Sequence, residues 1–163
     1  VPHPLKSRMD VAERHARILA RNLASLQPER PLALERLMSE EEALLLKLDQ
    51  FQSRYTKLQD HLGASLFPYV LELLGEEGKA LSVLDRLDRL EALGFLPSAQ
   101  AWQELRLIRN QLAHEYPEQP EELCHELEQG LQAGERLVET WEHFRAMVGR
   151  NSHLARTLNE ENA

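Results

Sequence analysis

Residues 39–62 read SEEEALLLKLDQFQSRYTKLQDHL, and this stretch decides the fold class. Leu44, Leu45, Leu48, Phe51, Tyr55, Leu58 and Leu62 recur three and four residues apart, the spacing that lines one face of an α-helix. Ser39 followed three residues later by Glu42 has the form of a capping box, which predicts the helix start. Gly63 and Pro68 are expected to bend or interrupt the helix before 70–74, and Gly75 and Gly78 to stop it.

The same pattern repeats downstream. Leu81, Leu84, Leu87 and Leu90 predict a helix ending at Leu93, with Gly94 as its C-cap and Pro97 beyond. Ser98 caps the next, which runs through Trp102, Leu105, Ile108 and Leu112 until Pro117. Pro120, Glu121 and Glu122 open a last long helix, with a proline and acids in the first turn. Leu123, Leu127, Leu131, Val138, Trp141 and Val148 line it, and Gly130 and Gly134 permit a close neighbour. Upstream, 7–26 reads as a short amphipathic helix with Val11, His15, Ile18, Leu19, Asn22 and Leu26 on one face.

Composition agrees. Thirty-two leucines stand against six valines, two isoleucines and three threonines, a balance that favours helix over strand. The expectation is an all-α protein, an antiparallel four-helix bundle with an extra N-terminal helix. Its organisation reads as a basic segment over 1–30, the bundle over 31–148 and a polar tail over 149–163 expected to fray. The first five residues carry no expected structural weight.

The 163 residues carry a formal charge of -8, which argues against a protein coated for nucleic acid but not against a local site. Lys6, Arg8, Arg14, Arg17, Arg21 and Arg30 against Asp10, Glu13 and Glu29 make the first thirty residues +3 and the remainder -11. The basic helix is expected to pack on its own acidic body; contact with RNA or an acidic partner is the alternative. The acids Glu118, Glu121, Glu122, Glu126 and Glu128 read as a solvated face. A single cysteine, Cys124, makes a cytoplasmic setting the default. No apolar run approaches membrane-spanning length, so no membrane partner is expected. Cys124 and His125 are adjacent and would not share a metal on a helix. No metal ligand set and no cofactor is expected. His15, His61, His125, His143 and His153 read as surface or satisfied structural histidines.

One segment concentrates chemistry: Arg109-Asn110-Gln111-Leu112-Ala113-His114-Glu115-Tyr116. Arg is a permanent cation suited to phosphate, and His exchanges protons near neutral pH. With Asn110 as a neutral donor, these groups suit a phosphodiester. Five residues separate Arg109 from His114, about 140° on a regular helix. Either the turn before Pro117 loosens or a second copy completes the site. The plainer alternative is a dipole-stabilised His114, a surface Arg109 and a capping Tyr116.

Arg109-Asn110-x-x-x-His114-x-Tyr116 resembles the R-x4-H-x-Y signature of the HEPN superfamily in its HepT-like branch. The likeness extends over about 39–148, beyond the motif only as helix order and apolar pattern. It implies an all-α homodimer with paired motifs lining a cleft between subunits. It implies a metal-independent endoribonuclease toxin, an RNA substrate and control by a nucleotidyltransferase antitoxin. His114 would be the acid/base for 2′-hydroxyl attack, Arg109 and Asn110 would stabilise the phosphate, and Tyr116 would be the adenylylation site. A non-catalytic nucleotide- or substrate-binding subunit of such a transferase, or a helical dimerisation module, are the other readings.

Overall fold

The computed structural model describes residues 4–113 and 119–163. Among these the chain is helical, with no strand. Helix α1 spans Leu5–Leu26, α2 Leu34–Met38 and α3 Glu42–His61. A π-helical turn, Leu62–Leu66, joins α3 to α4, Phe67–Leu73. Helices α5 (Val83–Ala92), α6 (Ala99–Ala113), α7 (Pro120–Arg150) and α8 (Ser152–Asn162) complete the order. Pro68, which has no N–H, sits in the first turn after the π segment, so the expected interruption falls where the i→i−4 ladder cannot continue.

Four helices surround the core: α1 packs on α3 and α7, and α6 packs on the same two from the other side. Asn22 Nδ2 donates to Lys47 O (3.0 Å), Arg54 to His15 Nδ1 (2.9 Å), and His61 Nε2 meets Arg8 O (2.8 Å). One number rises as the other falls, so α1 and α3 are antiparallel. Trp141 donates to Glu13 (2.7 Å) and Arg30 to Glu128 (3.1 Å), which sets α7 antiparallel to α1 in the same way.

The quartet differs from the expected one. Helix α5 is short and packs outside the ring on α4 and α6. Its place is taken by α1, whose Leu5, Ala12, Leu19 and Leu26 are fully buried. The buried face of α1 runs through Met9, Ala12, Ala16 and Leu19, displaced from the predicted face, which leaves Val11, His15 and Ile18 half-buried. Ala12 and Ala16, small and buried on this face, let α1 sit close to its neighbours.

Three local readings are corrected. Ser39 does not start α3; it ends α2, its hydroxyl donating to Arg36 O (3.1 Å). Glu40 then turns left-handed (φ 52°), and α3 begins at Glu42 with no side-chain cap. The tail does not fray: Asn151 Oδ1 accepts from the His153 and Leu154 amides and starts α8, whose Leu154 is fully buried. Glu161 on α8 accepts from the backbone amides of Leu5 (3.0 Å) and Lys6 (2.7 Å), so the last helix caps the first. Leu5 therefore carries weight that sequence reading denied it. The other stops hold: Gly75 (φ 81°) and Gly94 (φ 85°) close α4 and α5, and Ser98 Oγ accepts from Ala101 N.

The close approach at Gly134 is also present. A Cβ there would lie 2.8 Å from Phe51 Cε2 and 3.2 Å from Leu23, whereas at Gly149 it would meet nothing within 4 Å. Gly134→Ala is expected to lower stability, because overpacking costs about 1–3 kcal/mol against a helix-propensity gain of about 1 kcal/mol. Gly149→Ala, with the gain and no clash, is expected to raise it. Paired urea unfolding curves decide this; equal shifts in one direction would contradict the packing argument.

Candidate functional site

Helix α6 is pinned before it delivers Arg109. Tyr55 on α3 donates its buried hydroxyl to Leu105 O (2.7 Å), and Trp102 packs against Phe67, ring centres 4.7 Å apart. Desolvation pushes the Tyr55 phenol far above its ordinary range, so it stays a neutral donor. Leu105, one turn before Arg109 and on the same side of α6, is buried, so Arg109 emerges partly buried at the edge of the α3–α6 seam.

The Arg109 guanidinium meets Asp60 of α3 in a two-pronged ion pair, Nε to Oδ1 at 3.0 Å and Nη2 to Oδ2 at 2.8 Å. This contact holds the guanidinium firmly charged, its pKa raised chiefly by the Asp60 hydrogen bond. The Arg109 side chain is 29% exposed and Asp60 47%, so both remain within reach of a ligand. Asn110 is exposed on the next position. His114 and Tyr116, the other two residues of the motif, lie outside the described residues, as does Glu118. The structure therefore places Arg109 in the α3–α6 seam with Asp60, which sequence reading did not single out, and Asn110 about 100° further round α6, exposed. An acid on the exposed side of α3 was the only signal for Asp60.

Asp60→Asn is expected to release Arg109 with little loss of stability, within about 1 kcal/mol, because the pair is solvent-screened. A thermal melt checks this. A fall of several kcal/mol would make the pair a structural strut.

A cavity of about 460 Å³ opens beside the pair, where α3 turns into its π segment. Gln59, Gly63, Ala64 and Trp102 form its inner wall, with Arg86 of α5 and Arg106 of α6 at its edge. Gln59 is only 4% exposed, and Gly63 lies against it and Trp102, where a Cβ would sit in ordinary contact 3.6 Å from the Trp102 ring. The charge at this seam is net positive: Arg86, Arg106 and Arg109 against Asp60. Such a seam suits an anionic group.

A second group of functional side chains lies on the α1–α3 face. His15 and His61 meet edge to face, ring centres 6.3 Å apart. Arg54 can only donate, so His15 Nδ1 is the acceptor and the ring is neutral with its proton on Nε2. Burial, then Arg54, His61, Lys57 and Arg14, lower the His15 pKa. The other histidines behave as expected: His61 bonds Arg8 O and His143 bonds Gly94 O (2.8 Å). Cys124 is half-buried while His125 is exposed, so the two face apart.

The acidic stretch is not wholly solvated. Glu128 turns inward, accepting from Leu32 N (2.8 Å) and Arg30 Nε (3.1 Å), while Arg30 also reaches Glu135 (2.9 Å). Glu121 and Glu122 are exposed. Of the basic residues in the first thirty, Arg30 thus docks on the acidic body as expected, but Arg14, Arg17 and Arg21 make no ion pair among the described residues.

Among the described residues no three His, Cys, Asp or Glu side chains gather as a metal site would require, and no helix is long and apolar enough to cross a membrane. Compared with known proteins, the chain matches no family model, no curated protein and no solved structure.

Proposed function

We propose that the protein is a HepT-like HEPN endoribonuclease that works as a homodimer, controlled by a nucleotidyltransferase antitoxin. The observation that carries this reading is the segment Arg109-Asn110-x-x-x-His114-x-Tyr116, with Arg109 and Asn110 presented at the surface of α6 beside a cationic seam.

In the proposed reaction the 2′-oxygen of RNA attacks the adjacent phosphorus and the bond to the 5′-oxygen breaks. His114 takes the proton from the 2′-hydroxyl, and the partner copy's equivalent imidazole or water delivers one to the leaving oxygen. Arg109 and Asn110 stabilise the added negative charge on the phosphoryl oxygens. Asp60 is the group that Arg109 must exchange for phosphate, and in doing so it orients the guanidinium before RNA arrives. A second copy would cover Leu107, 62% exposed on α6 between Arg106 and Ile108. Tyr116 is the proposed site of adenylylation, which would add negative charge and repel RNA.

The test is to incubate the purified chain with RNA in the presence of a chelator. Fragments ending in a 2′,3′-cyclic phosphate are expected. Intact RNA with a strictly monomeric protein would refute both the activity and the shared cleft. Co-expression with a nucleotidyltransferase of the proposed antitoxin class, followed by intact-mass measurement, tests Tyr116 separately. The non-catalytic binding-subunit reading predicts complex formation without cleavage.

A further inference from the structure

The -8 chain carries a positive stripe on the outer side of α1 that meets α3 at Arg14. Arg14, Arg17 and Arg21 follow one another at three- and four-residue steps on α1, within about 60° of each other around the helix and spanning about 10 Å. All three are exposed. On α3, Arg54 donates to His15 Nδ1 (2.9 Å), and Arg54, Lys57 and Arg14 together depress protonation of His15, so Arg14 is where the stripe meets α3. None of these five cations makes an ion pair among the described residues. Three nearby carboxylates are engaged elsewhere: Asp10 by Lys6 (2.7 Å), Glu13 by Trp141 and Arg145, and Asp60 by Arg109. Asp49 lies more than a turn back from Arg54 on α3.

We infer that this α1–α3 face binds the phosphate backbone of single-stranded RNA and leads it to Arg109. The inference rests on the ribonuclease reading for the destination of the strand, not for the chemistry of the surface. Three observations favour phosphate over a protein partner. Four of the five cations are arginines, whose guanidinium suits phosphate geometry. Helix α1 contributes none of the large exposed apolar side chains and α3 only Leu46, about 12 Å back along the helix from Arg54, so the cationic stretch itself lacks the cluster of apolar anchors of a protein interface. And the face is continuous with the candidate site, since Lys57 stands one helical turn before Asp60, the partner of Arg109. A cation at that turn would hold one phosphate while the next displaces Asp60. Neutral His15, with its Nε2–H, adds a donor that becomes a cation when phosphate offsets its neighbours.

The experiment measures anisotropy of a fluorescein-labelled single-stranded RNA with the full chain carrying His114→Ala, so that binding is read without cleavage. Arg14→Glu/Arg17→Glu/Arg21→Glu and Arg54→Glu/Lys57→Glu are each expected to weaken binding by tenfold or more, about the loss of one or two phosphate contacts. The triple variant should also flatten the salt dependence by about two units of log–log slope, roughly 0.7 per contact for a single strand. Lys79→Glu/Arg150→Glu, the same charge change as the double variant but away from this face, is expected to leave affinity within about threefold, the general charge effect. Circular dichroism melts confirm that the variants fold. On titration, the His15 ring resonance should move to a higher pKa when RNA is bound. Equal losses in the control variant, no binding at low salt, or competition by polyglutamate as strong as by RNA would overturn the inference. If RNA binds here but is never cut by the unaltered chain, the surface stands and the ribonuclease reading falls. If the charge-reversed proteins cut RNA at the full rate, the reverse holds.

Discussion

His114→Ala is expected to slow RNA cleavage by about 10²–10⁴-fold, the usual contribution of a positioned acid–base group. Arg109→Ala is expected to slow it by about 10²–10³-fold, the cost of removing one preorganised donor from the developing charge. Neither change should disturb the fold. Arg109 is partly exposed and its ion pair with Asp60 is screened by solvent, so its removal should cost stability little. Asp60→Asn separates the two roles of that pair. If Asp60 is only a competitor for the guanidinium, its removal raises RNA affinity and leaves the maximal rate intact. If it also aims Arg109, the rate falls even as affinity rises. Arg109→Lys keeps the charge but loses the two-pronged geometry, and is expected to recover only a fraction of the rate. Single-turnover cleavage of a labelled RNA by each variant reads all of these. Unchanged rates in both alanine variants would remove this segment from the chemistry.

Deleting residues 1–30 is expected to abolish folding, not merely trim a peripheral segment. Three leucines of α1, Leu5, Leu19 and Leu26, are completely buried. Burying each is worth about 1.5–3 kcal/mol, so together they rival the 5–15 kcal/mol by which a whole domain is stable. The deletion would also strip one side from α3 and α7, and would leave Glu13's bond to Trp141 and Glu161's bonds to the first amides of α1 without partners. The shortened chain should lose its cooperative melt and expose its leucine-lined faces to aggregation. A soluble product with a sharp thermal transition would show that the other three helices close without it. A milder variant keeps the test quantitative: Leu19→Ala is expected to cost about 2–5 kcal/mol, read from a shift in the urea midpoint.

Much of the fold was legible in the sequence because leucine spacing and helix punctuation are local. The helices at 42–61, 83–92, 99–113 and 120–150 follow from a three- and four-residue repeat, and Gly75, Gly94 and Ser98 end or start helices by their own backbone or side-chain chemistry. What misled was equally local. Ser39 and Glu42 have the spacing of a cap, but Leu34–Met38 forms a helical turn first and uses Ser39 to end it. Asn151 is a good cap with few apolar residues behind it, so α8 was passed over, although one buried leucine and the Glu161 contact suffice to hold it.

The candidate site divides in the same way. Arg109, Asn110, His114 and Tyr116 stand out by residue type and spacing alone. Asp60 could not be found that way, because forty-nine residues separate it from Arg109 and only the packing of α3 on α6 joins them. The same is true of the basic residues at the start. Net charge and position marked 1–30 as a separate arm; tertiary contacts turned its apolar stripe into a wall of the core and brought Arg14 to Arg54 and Lys57 around His15. By itself, the sequence determined an all-α chain, most of its helices and one reactive segment, since these depend on neighbours a turn or less apart. Which four helices share the core, and which charges meet across the α1–α3 and α3–α6 seams, only the tertiary structure decided, because those contacts join residues that the chain keeps far apart.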